Sequence, residues 1–191
     1  MAARAAFAEG GLEGARVDDI ARRAGANKQL VYHYFGSKDD LYVAVLEDIY
    51  REIRDREAAL ALDAFPPEEA MRKLVEFSFD YLEQNPDFVR ILADENTHGG
   101  RHLRDSKVVP EVNRPIINLI RKTLARGVKD GVFRRGLDPL QVYLSIAGMS
   151  FFFFANLHTL SRAFDPQLGS AEGVAKRRAH IVDFALNAMR R

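Results

Sequence analysis

Between Asn27 and Leu41 the chain reads NKQLVYHYFGSKDDL. Lys28 and Lys38 carry cations there, Gln29 carries an amide, and Tyr32, His33 and Tyr34 carry rings with a hydrogen-bonding edge or tip. A glutamine amide can make paired hydrogen bonds with adenine, and a lysine donates to guanine acceptors or to phosphate. Tyrosine hydroxyls and a histidine ring reach phosphate oxygens, which fixes register without reading sequence. The residue types therefore suit the groove and backbone of a nucleic acid, provided that a fold lines them up.

A stretch this short is not a stable helix alone, so neighbouring elements must position it. MAARAAFAEGG reads as an Ala-rich helix closed by Gly10 and Gly11, and VDDIARRAG as a second short helix stopped by Gly25. Asn27 can cap a third that runs to about Tyr34. Gly36 then breaks the chain, and Ser37 with Asp40 predicts a capping box for a long helix from Lys38 to about Leu62. Val31 and Phe35 share one face of the third helix, Leu41 and Val45 repeat the spacing in the fourth, and Phe7, Ile20 and Ala24 complete a small core. Lys28, Gln29, Tyr32 and His33 remain on the opposite face. Two short helices across the tight turn AGAN form a helix-turn-helix, in which the second helix enters the major groove. Lys38 stands in the first turn of the fourth helix, where free N–H groups add to the attraction for phosphate.

The rest of the chain is punctuated in the same way. Pro66 and Pro67 precede a helix to about Gln84, and Asn85 with Pro86 starts another through DFVRILADEN. Further helices are predicted from about Val112 to Lys129 with Pro115 near the start, from Pro139 to about Arg162 behind Asp138, and from Ala171 to about Met189 behind Ser170. No alternation of strand type survives, so the fold class is all-α with about nine helices. Residues 1–46 form the helix-turn-helix domain, and the long fourth helix joins it to a helical domain over 47–191.

Composition narrows the functions. The 191 residues are 47% apolar and 29% charged, as in an ordinary soluble protein, and no apolar run approaches a bilayer span. No secretory segment follows Met1, which predicts a cytoplasmic protein without a membrane partner. Zero cysteines removes disulfides, thiolate metal sites and thiol nucleophiles together. A net charge of +1 gives no general pull toward polyanions, so DNA binding must come from placement. Basic residues outnumber acids between Arg101 and Arg135, which reads as a solvated helix face. There is no nucleophile elbow and no phosphate-cradling glycine loop, so no catalytic residues and no cofactor are expected.

The stretch FAEGGLEGARVDDIARRAGANKQLVYHYFGSKDDLYVAVL resembles the DNA-binding domain of the TetR family of bacterial transcriptional regulators, whose signature centres on YHYF-x-SK after a helix-turn-helix. The resemblance covers about the first quarter of the chain and implies a helical ligand-binding and dimerisation domain behind it. It implies that Lys28, Gln29 and Leu30 lie nearest the bases of a double-stranded operator, with Tyr32, His33 and Lys38 toward phosphate. It also implies a homodimer, usually a repressor released by a small-molecule effector. This chain departs from the pattern twice. It starts in what resembles the middle of the family's first helix, without a basic arm. It also has Arg16 where Ser or Thr usually caps the second helix; Arg cannot cap, but it can reach a phosphate.

Phe151, Phe152, Phe153 and Phe154 point to all sides of their helix, so one side needs a partner. The expected dimer interface comprises Ser145, Gly148, Phe152 and Ala155 with Val174, Ile181, Ala185 and Ala188. An effector pocket is expected from Phe77, Tyr81, Phe88, Asn96, Tyr143, Phe151, Phe154 and Asn156, rings interrupted by polar groups. Two rivals remain: a helical ligand-binding dimer whose truncated start leaves it without competent DNA binding, and a metal-binding protein using His98 and His102 of HGGRH.

Overall fold

A computed structural model describes residues 1–104 and 106–191. Among them are ten α-helices and two short 3-10 turns, Leu62–Ala64 and Pro166–Gly169. The chain forms two compact units, one from Met1–Ile53 with Asn85–Val112, the other from Arg54–Gln84 with Asn113–Arg191. The only pairing of extended backbone among the described residues is an isolated bridge between Phe133 and Arg190.

The first unit holds α1 (Ala2–Gly14), α2 (Val17–Arg23), α3 (Lys28–Phe35), the larger part of α4 (Lys38–Ala58), α6 (Pro86–Thr97) and the start of α7 (Val108–Lys129). Its core sets Phe7 edge-on to Tyr42 at 5.0 Å, with Leu12, Ile20, Leu41, Leu46, Ile49 and Ile91 buried around them. α1 breaks at Gly11, whose φ of 64° and ψ of −175° suit only glycine. The side chain of Asp94 occupies the space beside it: its carboxylate accepts the Leu12 N–H at 2.9 Å and the Tyr42 hydroxyl at 3.0 Å. Near the start of α1, Arg4 bridges Asp87 and Glu52. Burial alone would lower the affinity of Arg4 for its proton, but the two carboxylates outweigh it and hold the cation more firmly than usual.

The second unit holds the end of α4, α5 (Pro67–Gln84), most of α7, α8 (Pro139–Ala155), α9 (Leu157–Ala163) and α10 (Ala171–Met189). Leu74, Phe79, Ile120, Leu124, Ile146, Phe153, Ile181 and Leu186 fill its core. Phe79 packs against Phe154 at 4.8 Å and Phe153 at 5.9 Å between ring centres. Gly127 makes room for Phe133, since a Cβ there would lie 2.0 Å from the ring. Arg178 of α10 pairs with Asp80 at 2.6 Å and Glu76 at 3.5 Å on α5, and Arg190, just past the end of α10, pairs with Glu68 at 2.5 Å.

Several expectations need correction. The helix expected over 139–162 bends by 71° at Asn156 into α8 and α9, and the Asn156 amide donates to the Phe152 carbonyl at the end of α8. α7 begins at Val108, four residues early, so Pro115 lies inside it. In the first core Phe35 is 41% exposed, and Ala21 is buried where Ala24 was expected. The Ser37 hydroxyl accepts the Asp40 N–H at 3.0 Å, but the Asp40 carboxylate takes the Ser37 hydroxyl at 2.6 Å and does not reach back to its N–H. No single helix among the described residues is long and apolar enough to cross a membrane.

Candidate nucleic-acid interface

α2 carries Asp18 and Asp19 in its first turn and Arg22 and Arg23 in its last, each sign at the end where the helix dipole favours it. It closes with Gly25 at φ 65°. The Ala26 N–H reaches the Ala21 carbonyl at 2.9 Å and the Gly25 N–H reaches Arg22 at 3.2 Å, the paired bonds of a Schellman turn. The Asn27 side chain then accepts the Leu30 N–H at 2.8 Å and starts α3. Local chemistry thus fixes where α2 stops and where α3 starts.

On α3 only Val31 is buried. Lys28, Gln29, Leu30, Tyr32 and His33 are exposed together, as the sequence predicts for a reading face. Leu30 is an apolar group suited to a thymine methyl. Tyr34, at 73% exposure, belongs to the same exposed helix. Lys28 is held by Asp18 at 3.1 Å and lies 5.9 Å from the centre of the Tyr32 ring, a pairing between exposed groups that a phosphate can displace. Arg16 is exposed at the start of α2 and makes no side-chain cap. Lys38 is half-buried, its ammonium 3.4 Å from the carbonyls of Glu13 and Ala15, so it closes the end of α1 before any phosphate arrives.

The other expected residues are less well gathered. In the second unit Phe77 and Tyr81 line an open groove of about 380 Å³, and Phe154 packs on Phe79. Phe151 is half-buried on α8 and Phe88 is buried in the first unit. The amides of Asn96 and Asn156 donate to the Leu92 and Phe152 carbonyls of their own helices. Of the expected interface, Ser145, Gly148, Phe152, Ala155 and Ala188 are exposed. Val174, Ile181 and Ala185 are buried in the chain's own core and are corrected accordingly. Leu140, Leu144 and Phe184 are exposed alongside and were missed.

The histidines of HGGRH do not form a metal centre. His102 donates from Nδ1 to Glu95 at 2.6 Å and accepts from Arg101 at Nε2, while His98 Nδ1 donates to the Asp94 carbonyl at 2.8 Å. No group of three metal-ligating side chains occurs among the described residues.

The sequence reading also missed Arg54 and Glu57 of α4, which meet Tyr143 of α8 in the second unit. They lie in the charge-rich run YREIRDREA, where nothing in the pattern distinguishes a buried pair from surface pairs three apart.

An exposed helix capped for docking, with cations and amides aligned on a helix-turn-helix, defines a DNA-binding regulator. Comparison with known proteins makes the assignment specific. Residues 1–45 match the family model described as bacterial regulatory proteins, tetR family, and residues 67–185 match that of the tetracyclin repressor-like C-terminal domain. The chain is 37% identical over 185 residues to the HTH-type transcriptional repressor NicS of Pseudomonas putida, covering 97% of this chain and 87% of NicS. It belongs to the TetR family. Among solved structures, the ketosteroid transcriptional regulator KstR2 of Mycobacterium tuberculosis superposes with a TM-score of 0.61 at 26% identity, covering 99% of this chain and 91% of that one. A transcriptional regulator from Saccharomonospora viridis in complex with choline shares the fold with a TM-score of 0.74 at 21% identity, covering 100% and 94%. The metal-binding reading is not favoured, since the relatives are named transcriptional regulators.

Proposed function

We propose that this protein is a transcriptional repressor that holds a near-palindromic operator as a homodimer and lets go when a small-molecule effector binds. The exposed face of α3 carries the reading: five side chains able to meet bases or phosphates stand together where they add nothing to the core. Residues 1–46 act as the reader and 47–191 as the sensor and dimer platform. Lys28, Gln29 and Leu30 read base edges, while Arg16, Tyr32, His33 and Lys38 fix the backbone register. The name of NicS supports repression and the choline complex of the Saccharomonospora viridis regulator supports an effector. A coupling of about 1–3 kcal/mol between effector and operator is enough to change occupancy. The work of such a protein is binding in the cytoplasm, where its operator lies, and it calls for no catalysis.

The test is selection of duplexes from a random pool by the purified protein at moderate salt. One enriched near-palindrome is expected. Gln29→Ala should then relax preference at particular positions, by about 1–3 kcal/mol at the base it reads. A folded dimer that enriches nothing would overturn the repressor reading.

A further inference from the structure

Arg54 and Glu57 are buried at the end of α4, with side chains 8% and 4% exposed. Arg54 Nη1 donates to Glu57 at 2.5 Å, Nη2 donates to the Tyr143 hydroxyl at 2.7 Å, and the guanidinium carbon lies 5.4 Å from the centre of the Tyr143 ring. Its Nε, also buried, has no partner. A buried guanidinium with an unused donor is costly, and it cannot shed its charge. Such a group is a place for an acceptor that arrives from outside.

We propose that the effector site of the second unit takes a small monoanion, a carboxylate, on Arg54, and that Glu57 takes up one proton from solvent as the anion binds. The inference rests on the effector-responsive reading above and names the chemistry of that site. Charge balance decides between ligand classes. Arg54 and ionised Glu57 sum to zero, so an added cation leaves a buried net charge that no group can discharge. An added anion leaves none, because Glu57 becomes neutral. The groups facing Glu57 are Arg54 on its own helix and Tyr143 on α8. Burial pushes the Glu57 carboxyl up to about 7, against the weaker pull of Arg54, so a proton is readily taken near neutrality. Burial likewise raises the Tyr143 hydroxyl above its ordinary value, which keeps it a donor.

The experiment uses the full chain and three matched pairs: acetate and acetamide, hexanoate and hexanamide, benzoate and benzamide. Thermal stabilisation is read at several pH values, and heat of binding is read in two buffers of different ionisation enthalpy, which counts protons taken up. At least one carboxylate should stabilise the protein while its amide does not. Its affinity should be flat below about pH 6 and fall by up to about tenfold per pH unit above about pH 8. Arg54→Gln should abolish binding, and Glu57→Gln, fixed in the neutral form, should remove the pH dependence. Should Arg54→Gln not fold, proton uptake by the unaltered chain still decides. Amides equal to carboxylates, no response to any carboxylate, or binding at about pH 8 without proton uptake would each overturn the inference. Operator binding by the ligand-free protein is scored separately. Carboxylate binding without operator selection would sink only the repressor reading, and operator release by amides alone would sink only this one.

Discussion

Asp94 shows how one side chain can secure the start of the chain. Its carboxylate is the acceptor for Leu12 and Tyr42, and it fills the gap beside the glycine where α1 breaks. Asp94→Ala leaves a backbone N–H and a buried hydroxyl without that acceptor, at a cost of about 2–4 kcal/mol. Urea unfolding of the two proteins measures it, and a difference within error would mean that water replaces the carboxylate without loss. Glu57 makes a prediction of its own about pH. Its folded-state value, about 7, lies above the ordinary glutamate value. The stability it contributes is therefore full below the ordinary value and lost as pH rises through about 7. Glu57→Gln should flatten the decline in the thermal midpoint between about pH 5 and about pH 8. Equal slopes in both proteins would show that the carboxyl is ionised throughout. Asp87 runs in the opposite direction: burial would raise its value, but Arg4 holds it below the usual carboxylate range, so its contribution is lost only as acid protonates it.

The turn from α2 to α3 was legible because its chemistry is local. A glycine at positive φ and an asparagine cap act within four residues, and each sits where the sequence places it. Asn27→Ala should cost about 1 kcal/mol of stability and weaken binding to all duplexes alike, since it loosens the helix without touching a base. Competition between duplexes at one salt concentration checks this; a changed base preference would mean that Asn27 itself touches DNA. Features set by packing were not legible. In GMSFFFFANLHTL apolar residues stand on both sides of Asn156, and no periodicity marks where α8 closes. The stripe Val174, Ile181 and Ala185 lies on one face of α10, but spacing alone cannot say whether that face meets the chain's own core or a second copy. Arg54 and Glu57 escaped notice because burial, which gives them their chemistry, belongs to the packed unit and not to the order of residues.

The molecule carries a net charge of only +1, so operator affinity cannot come from a general attraction and must come from placement. The proposed homodimer would supply two readers at a fixed spacing. The second unit leaves Leu140, Leu144 and Phe152 of α8 and Phe184 of α10 exposed, large apolar groups with no partner in their own core. Beside Phe184, Ser145, Met149 and Ala188 line a groove of about 210 Å³ into which a ring from another copy can fit. Phe152 is the sharpest probe because it is 57% exposed, so replacing it opens no cavity in the single chain. Phe152→Glu buries a charge only if the dimer forms, which costs several kcal/mol per ion in the assembly and almost nothing in the lone chain. Sedimentation should then show a monomer, and circular dichroism should show unchanged helix content. Operator affinity should fall by at least about a hundredfold, because each reader then binds its half-site without the effective concentration that its partner provides. Half-site duplexes should be bound as before. A variant that remains dimeric would move the interface off this face, and a monomer that keeps full operator affinity would remove the need for two readers.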